Sequence, residues 1–270
     1  MPGRRSRQIA RAVLRHPLRR RLRRLRLAAA ALRPRSRFLV GELRGGIRAY
    51  ALPAGGIALV RHRSRDIDLV VEIFGPRRAY EPPASLAARL AGQLRVLDLG
   101  GNIGLFAIFA LQRYDLRAIT SFEPDPENAA LLARAIQRNG VGDRWKLQSV
   151  AVSNDAGPIR FVAGRLLESR RADPGEDGVQ LPAVDLFDLD HDVDLIKVDI
   201  EGGEWALLGD PRLSSLGART IVIEWHGRGA PDPDPHAAAL GLLQRAGYVI
   251  HLDEVDPPHG HTGLVWAARP

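Results

Sequence analysis

The chain has 270 residues, 45% of them hydrophobic, enough for one substantial core. It has no cysteine, which excludes a disulfide framework, a thiolate nucleophile and a zinc–thiolate site. The net charge of +8 is unevenly placed: residues 1–37 hold 14 Arg and no acidic residue, so the rest of the chain is mildly acidic.

No apolar run reaches the roughly 18 residues needed to cross a bilayer. Leu27–Leu32 is also shorter than a signal-peptide core of about 7–15 residues, and the expectation is a soluble, cytoplasmic protein. Within residues 1–37, Leu18, Leu22, Leu25, Ala29 and Leu32 recur at helical spacing with arginines between them. The pattern fits a basic amphipathic helix or, given its charge density, a solvated disordered tail. Docking on an anionic membrane surface, which would make the protein membrane-peripheral, is a further reading. Nucleic-acid binding is disfavoured, because no aromatic residue stands among the arginines to stack on bases.

Residues 38–94 read as a small β-appendage. Ile57–Arg61 and Ile67–Phe74 have strand composition and are joined by the charged loop His62–Asp66. Tyr80-Glu-Pro-Pro interrupts the pattern, and Leu86–Leu94 has room for a short helix.

From residue 95 to 270, strands alternate with helices. Strand Arg95–Leu99 is followed by helix Ile103–Arg113, strand Arg117–Phe122, helix Pro126–Asn139 stopped by Gly140, and strand Lys146–Val150. A hairpin is expected over Ala151–Val162, then a mobile loop over residues 164–180. Strand Val193–Val198, helix Glu204–Leu208, strand Arg219–Trp225 and helix His236–Ala246 come next, and strands Tyr248–Leu252 and Gly263–Ala268 close the chain. The alternation predicts a doubly wound, mostly parallel sheet with its ligand at the strands' C-terminal ends. The last two strands are joined too tightly for a helical crossover and are expected to be antiparallel.

Val96-Leu-Asp-Leu-Gly-Gly-Asn-Ile-Gly104 is a strand, a glycine turn and a helix start, which brings backbone N–H groups up to a ligand. Asp98 stands at the strand's end. Glu123, in Phe122-Glu-Pro-Asp-Pro-Glu-Asn, follows Gly104 at the distance expected of an acid that binds ribose hydroxyls. Two ligand classes share this opening. A nicotinamide dinucleotide needs a middle glycine for its pyrophosphate, and Asn102 stands where that glycine would be. S-adenosylmethionine has no pyrophosphate and needs none.

With Ala151-Val-Ser-Asn and Leu195-Ile-Lys-Val-Asp-Ile-Glu-Gly-Gly-Glu-Trp, these segments resemble the FkbM family of methyltransferases over roughly residues 50–268. The resemblance implies a Rossmann-like class I fold, S-adenosylmethionine as methyl donor, and O-methylation of a sugar or natural-product hydroxyl, so a small-molecule or glycan acceptor. It further implies that Asp98, Gly100, Asn102 and Gly104 surround the methionine part of the donor. Glu123 would take the ribose, with Pro124 and Asp125 shaping its turn, and Ala151 and Val152 would lie near the adenine. An NAD-linked oxidoreductase and a non-catalytic binding module that acts through the basic tail are the alternatives.

An alcohol nucleophile must lose its proton, which calls for a base or a metal. Asp199 and Glu201 flank the end of one strand, and Lys197 shares a strand face with Asp199 and could pair with it. His226 ends the neighbouring strand and is the candidate general base. Asp199, Glu201 and His226 could also ligate Mg²⁺ or Mn²⁺, although nothing in their spacing demands a metal. Glu204 suits the start of the next helix, and His259 and His261 read as solvated.

Overall fold

The computed structural model describes residues 21–162, 170–171, 177–189, 192–255 and 261–270. The first half of the Arg-rich segment, most of the loop expected over 164–180, and His259 lie outside them. Helix α1 covers residues 21–31; of the predicted stripe, Leu25 and Ala29 pack on the core and Leu32 is buried along with Ala28 and Ala31, whereas Leu22 is exposed and Leu18 lies outside the described residues. Helix α2 (Arg35–Arg44) follows, and strands β1 (Ile47–Ala51) and β2 (Ile57–Arg61) form an antiparallel pair.

The expected strand over Ile67–Phe74 is instead helix α3 (Asp66–Phe74). Its β-branched content suits a strand, but Ile67, Val70 and Ile73 are the buried positions, and a spacing of three gives one face of a helix. Asp66 fixes the helix start by accepting from the Arg61 backbone N–H and from its guanidinium, and Arg61 also reaches Asn128. The short helix expected over Leu86–Leu94 reduces to a single turn, Ala84–Leu86, because Leu94 already enters the sheet.

The main sheet has seven strands: β3 (Leu94–Leu99), β4 (Leu116–Phe122), β5 (Trp145–Gln148), β10 (Leu195–Val198), β11 (Thr220–His226), β12 (Val249–Val255) and β13 (Thr262–Ala268). Their order is β12-β13-β11-β10-β3-β4-β5. The five strands from β5 to β11 are parallel, and β13 runs antiparallel to both β11 and β12. This is the Rossmann-like class I sheet with a reversed last strand. Helices α4 (Leu105–Arg113) and α5 (Pro126–Asn139) share one core with the N-terminal elements. Helices α6 (Glu204–Leu208) and α7 (Pro235–Arg245) pack in the second. The strand order reverses between β3 and β10, which places a crevice at their C-terminal ends.

The segment after β5 is not the expected hairpin. Strands β6 (Ala151–Ser153) and β7 (Gly157–Val162) do not pair with each other. Strand β9 (Val179–Asp185) lies between them, parallel to β6 and antiparallel to β7, and β8 (Arg170–Arg171) adds to the far side of β7. The distant strand wins because it bonds both of its neighbours.

Candidate functional site

Strand β3 ends at Leu99, and the glycine turn crosses the crevice. Gly100 has a left-handed φ of 80°, and a Cβ there would overlap the Asp199 carbonyl oxygen of the adjacent strand end. Asn102 is also left-handed, a conformation asparagine tolerates better than most residues. Lys197 fixes the turn from below. Its Nζ donates to the Gly100 carbonyl at 2.7 Å and lies 3.4 Å from Asp98 Oδ1 and 3.5 Å from Asp199 Oδ2, over the rings of Tyr80 and Phe106. Burial disfavours the ammonium, but Asp199, Asp98 and Glu224 outweigh it and raise its pKa. Asp98 is fully buried beneath the turn and accepts from Ser121 at 2.7 Å.

Glu123 lies beyond β4, 5% exposed. Its two oxygens accept the Asn102 N–H at 2.7 Å and the Asp125 N–H at 2.9 Å. Each oxygen keeps a lone pair for a further donor, such as a sugar hydroxyl. Burial pushes its carboxyl up to about 7 against the pull of those two N–H groups. Asp125 caps α5 by accepting from Glu127 and Asn128.

At the other end of the crevice, acidic groups outnumber cations. His226 Nδ1 lies 3.1 Å from Glu204 Oε1, and its Nε2 lies 3.5 Å from Glu201 Oε2. Glu204 is itself fixed by the backbone N–H groups of Ile200 and Gly202. Burial works against the imidazolium, yet the bond to Glu204 and the charges of Glu204, Glu201 and Asp199 raise His226 to about 10. Burial raises Glu201 to about 7, with the charge of His226 opposing and those of Asp199 and Glu204 adding. Glu224 is raised well above its ordinary value by burial and by the charges of Asp199 and Glu72, with His226 opposing. The Tyr80 hydroxyl, 3.4 Å from both Asp199 Oδ2 and Glu224 Oε2, connects the two. Glu201 has a left-handed φ of 53°, a cost that recurs at functional sites.

A cleft joins these parts. Of the sequence-predicted residues, Gly100, Asn102, Glu123, Pro124, Ala151, Val152, Lys197, Asp199 and Glu201 line it. Asp98 lies under its floor, Gly104 precedes α4 against Trp145, Asp125 caps a helix, and His226 stands behind Glu201. Sequence reasoning missed Tyr80, Phe106, Ile159 and Phe161 on the walls. The only available signal was a tyrosine in an otherwise Pro-rich break. S-adenosylmethionine, implied by the motifs, fits this cleft. Gly100 and Gly101 leave a cradle without Cβ atoms, Glu123 has acceptors to spare, and Phe122, Ala151, Val152 and Phe161 offer apolar walls for a purine. Asp199, Glu201 and His226 each place one potential ligand atom within 4.8 Å of the others, close enough to hold a divalent cation.

No curated protein matches the chain. Among solved structures, magnesium protoporphyrin IX methyltransferase from Synechocystis with bound SAM is 15% identical, with a TM-score of 0.44, and the alignment covers 69% of this chain and 74% of that one. Methyltransferase FkbM from Methylobacillus flagellatus is 15% identical with a TM-score of 0.46, and the alignment takes in 92% of this chain. This chain spans 59% of that protein's length. The Methyltransferase FkbM domain family matches residues 98–250, a stretch that begins at Asp98 and takes in the glycine turn, Glu123, Lys197 and His226. That match extends over more than half of the chain, and the protein belongs to the FkbM methyltransferase family.

Proposed function

We propose that the protein is an S-adenosylmethionine-dependent O-methyltransferase acting on a hydroxyl of a sugar or natural product, with Glu201 as the proton acceptor. The observation that carries this reading is the division of the cleft. One end has a cradle without Cβ atoms beside Glu123, and the other has a carboxyl group poised near neutrality. S-adenosylmethionine supplies a methyl group already activated on a sulfonium. The chain's own residues must align the acceptor and take its proton.

His226 is poorly suited to take that proton, because a group raised to about 10 is already an imidazolium at neutral pH. Its role is to hold Glu201 and balance its charge. Glu201 at about 7 is half ionised at neutral pH and lines the cleft, which suits a general base. Lys197, with Asp98, positions the glycine turn rather than touching the acceptor.

Two measurements test the proposal. S-adenosylmethionine should raise the thermal midpoint and NAD should not; a shift with NAD alone would point to an oxidoreductase. With a hydroxyl acceptor, turnover should rise with pH through an inflection near 7, and Glu201→Gln should lower kcat by about a hundredfold or more with little change in donor affinity. An inflection near 10 would return the base role to His226. Turnover lost to a chelator and restored by Mg²⁺ would favour a metal held by Asp199, Glu201 and His226 instead.

A further inference from the structure

The N-terminal helices reverse the surface expected of the Arg-rich segment. Leu25, Ala29 and Leu32 of the α1 stripe turn inward, and Arg24 beside them pairs with Asp68 at 2.6 Å and donates to the Ser64 carbonyl. The next helix, α2, puts Phe38 and Gly41 against the β1–β2 pair, with Phe38 edge-on to Tyr50. Gly41 lies so close to the His62 ring that any Cβ would overlap it. On its opposite side α2 leaves Leu39 57%, Val40 40% and Leu43 75% exposed, and Ile47 just beyond the helix is 45% exposed.

At about 100° per residue, Leu39, Leu43 and Val40 fall within one sector roughly 100° wide, with Arg35 on one flank and Arg44 on the other. Three large aliphatic side chains clustered on the outside of a short helix form an exposed apolar patch of the kind that marks interaction surfaces. Charge narrows the choice of partner. The first 48 residues contain 16 Arg and a single acidic residue, Glu42, whose carboxylate is engaged by His62.

We propose that the outward face of α2 docks on an anionic lipid bilayer, with Leu39, Val40 and Leu43 in the acyl boundary and the arginines at the level of the lipid phosphates. A bilayer suits the face better than an acidic protein does. The face is convex and purely aliphatic, without the Tyr or Trp anchors that usually carry protein interfaces. Arginine stems can lie along apolar surface while their heads stay among phosphates. Among the described residues no helix is long and apolar enough to cross a membrane, so the contact is one of surface attachment.

The test is flotation of the full chain with vesicles of phosphatidylcholine alone or containing about one-third phosphatidylglycerol. The protein should float with the anionic vesicles only, less so as salt rises from about 0.05 to 0.5 M. The double variant Leu39→Glu/Leu43→Glu should bind about tenfold or more weakly, while its thermal midpoint and its shift with S-adenosylmethionine stay those of the native chain. Val40→Ser should give a smaller loss in the same direction. Equal flotation of the double variant would overturn the proposal, because the arginines alone would then suffice. So would absence of flotation, equal binding to neutral vesicles, or a self-association that the double variant abolishes.

Discussion

Gly100 and Lys197 meet where the ammonium donates to the glycine carbonyl beneath the turn. Gly100→Ala would force its new methyl group into the Asp199 carbonyl at a φ that favours glycine, which should cost about 2–4 kcal/mol of stability and weaken donor binding by about tenfold or more. Thermal unfolding and calorimetric titration would check both, and a variant with native affinity would mean the turn has room to move. Glu123 and Glu201 are raised by the same cause, burial, although the proposed function gives them different partners, the donor's ribose for one and the acceptor's proton for the other. Lys197 could be read from the sequence as a partner of Asp199, and that pair is present. Its shorter bond to the Gly100 carbonyl was hidden, because it joins groups 97 residues apart.

Among the elements, legibility followed local chemistry. Helix α5 runs over the predicted residues because its ends are written in the chain, with Asp125 and Pro126 opening it and Gly140 closing it in a left-handed conformation. Helix α6 matches its predicted bounds, and the central strands fall within about two residues. Helix α3 and the pairing of β6 with β9 were not legible, since tertiary packing and a distant strand decide them. The glycine turn and Glu123 could be found by spacing, whereas Tyr80 reaches the site only through the folded appendage. Helix α1 behaves as part of the core. Leu32, just beyond its last turn, has no exposed surface, and Leu32→Ala should cost about 2–5 kcal/mol. A loss under about 0.5 kcal/mol in denaturant titration would mean that this segment only rests on the body.

For the whole molecule, the buried acids set the dependence of stability on pH. In the unfolded chain Glu123 and Glu201 titrate near 4.5, but in the folded protein near 7. The folded state binds their protons more tightly, so their contribution is complete below about 4.5 and is lost as pH rises towards 7. His226, raised from 6.5 to about 10, contributes fully below 6.5 and loses that contribution as pH climbs through 10. Asp210, lowered to about 2, acts only at the acid end, where its contribution disappears below its ordinary 3.8. The thermal midpoint of the donor-free protein should therefore fall steadily from about pH 5 to pH 10. A midpoint that rises over that range would show these groups to be solvated. The reach of Lys197 beneath Gly100 also bears on the order in which the protein is made. Strands β3, β4 and β5, with the turn and Glu123, leave the ribosome early and can pair with one another. The turn is fastened only when β10 arrives beside β3 and brings the ammonium with it. A nascent chain halted before residue 195 would carry the glycine turn and Glu123 without the ammonium that fastens the turn, so the anchoring of the turn waits on the arrival of β10.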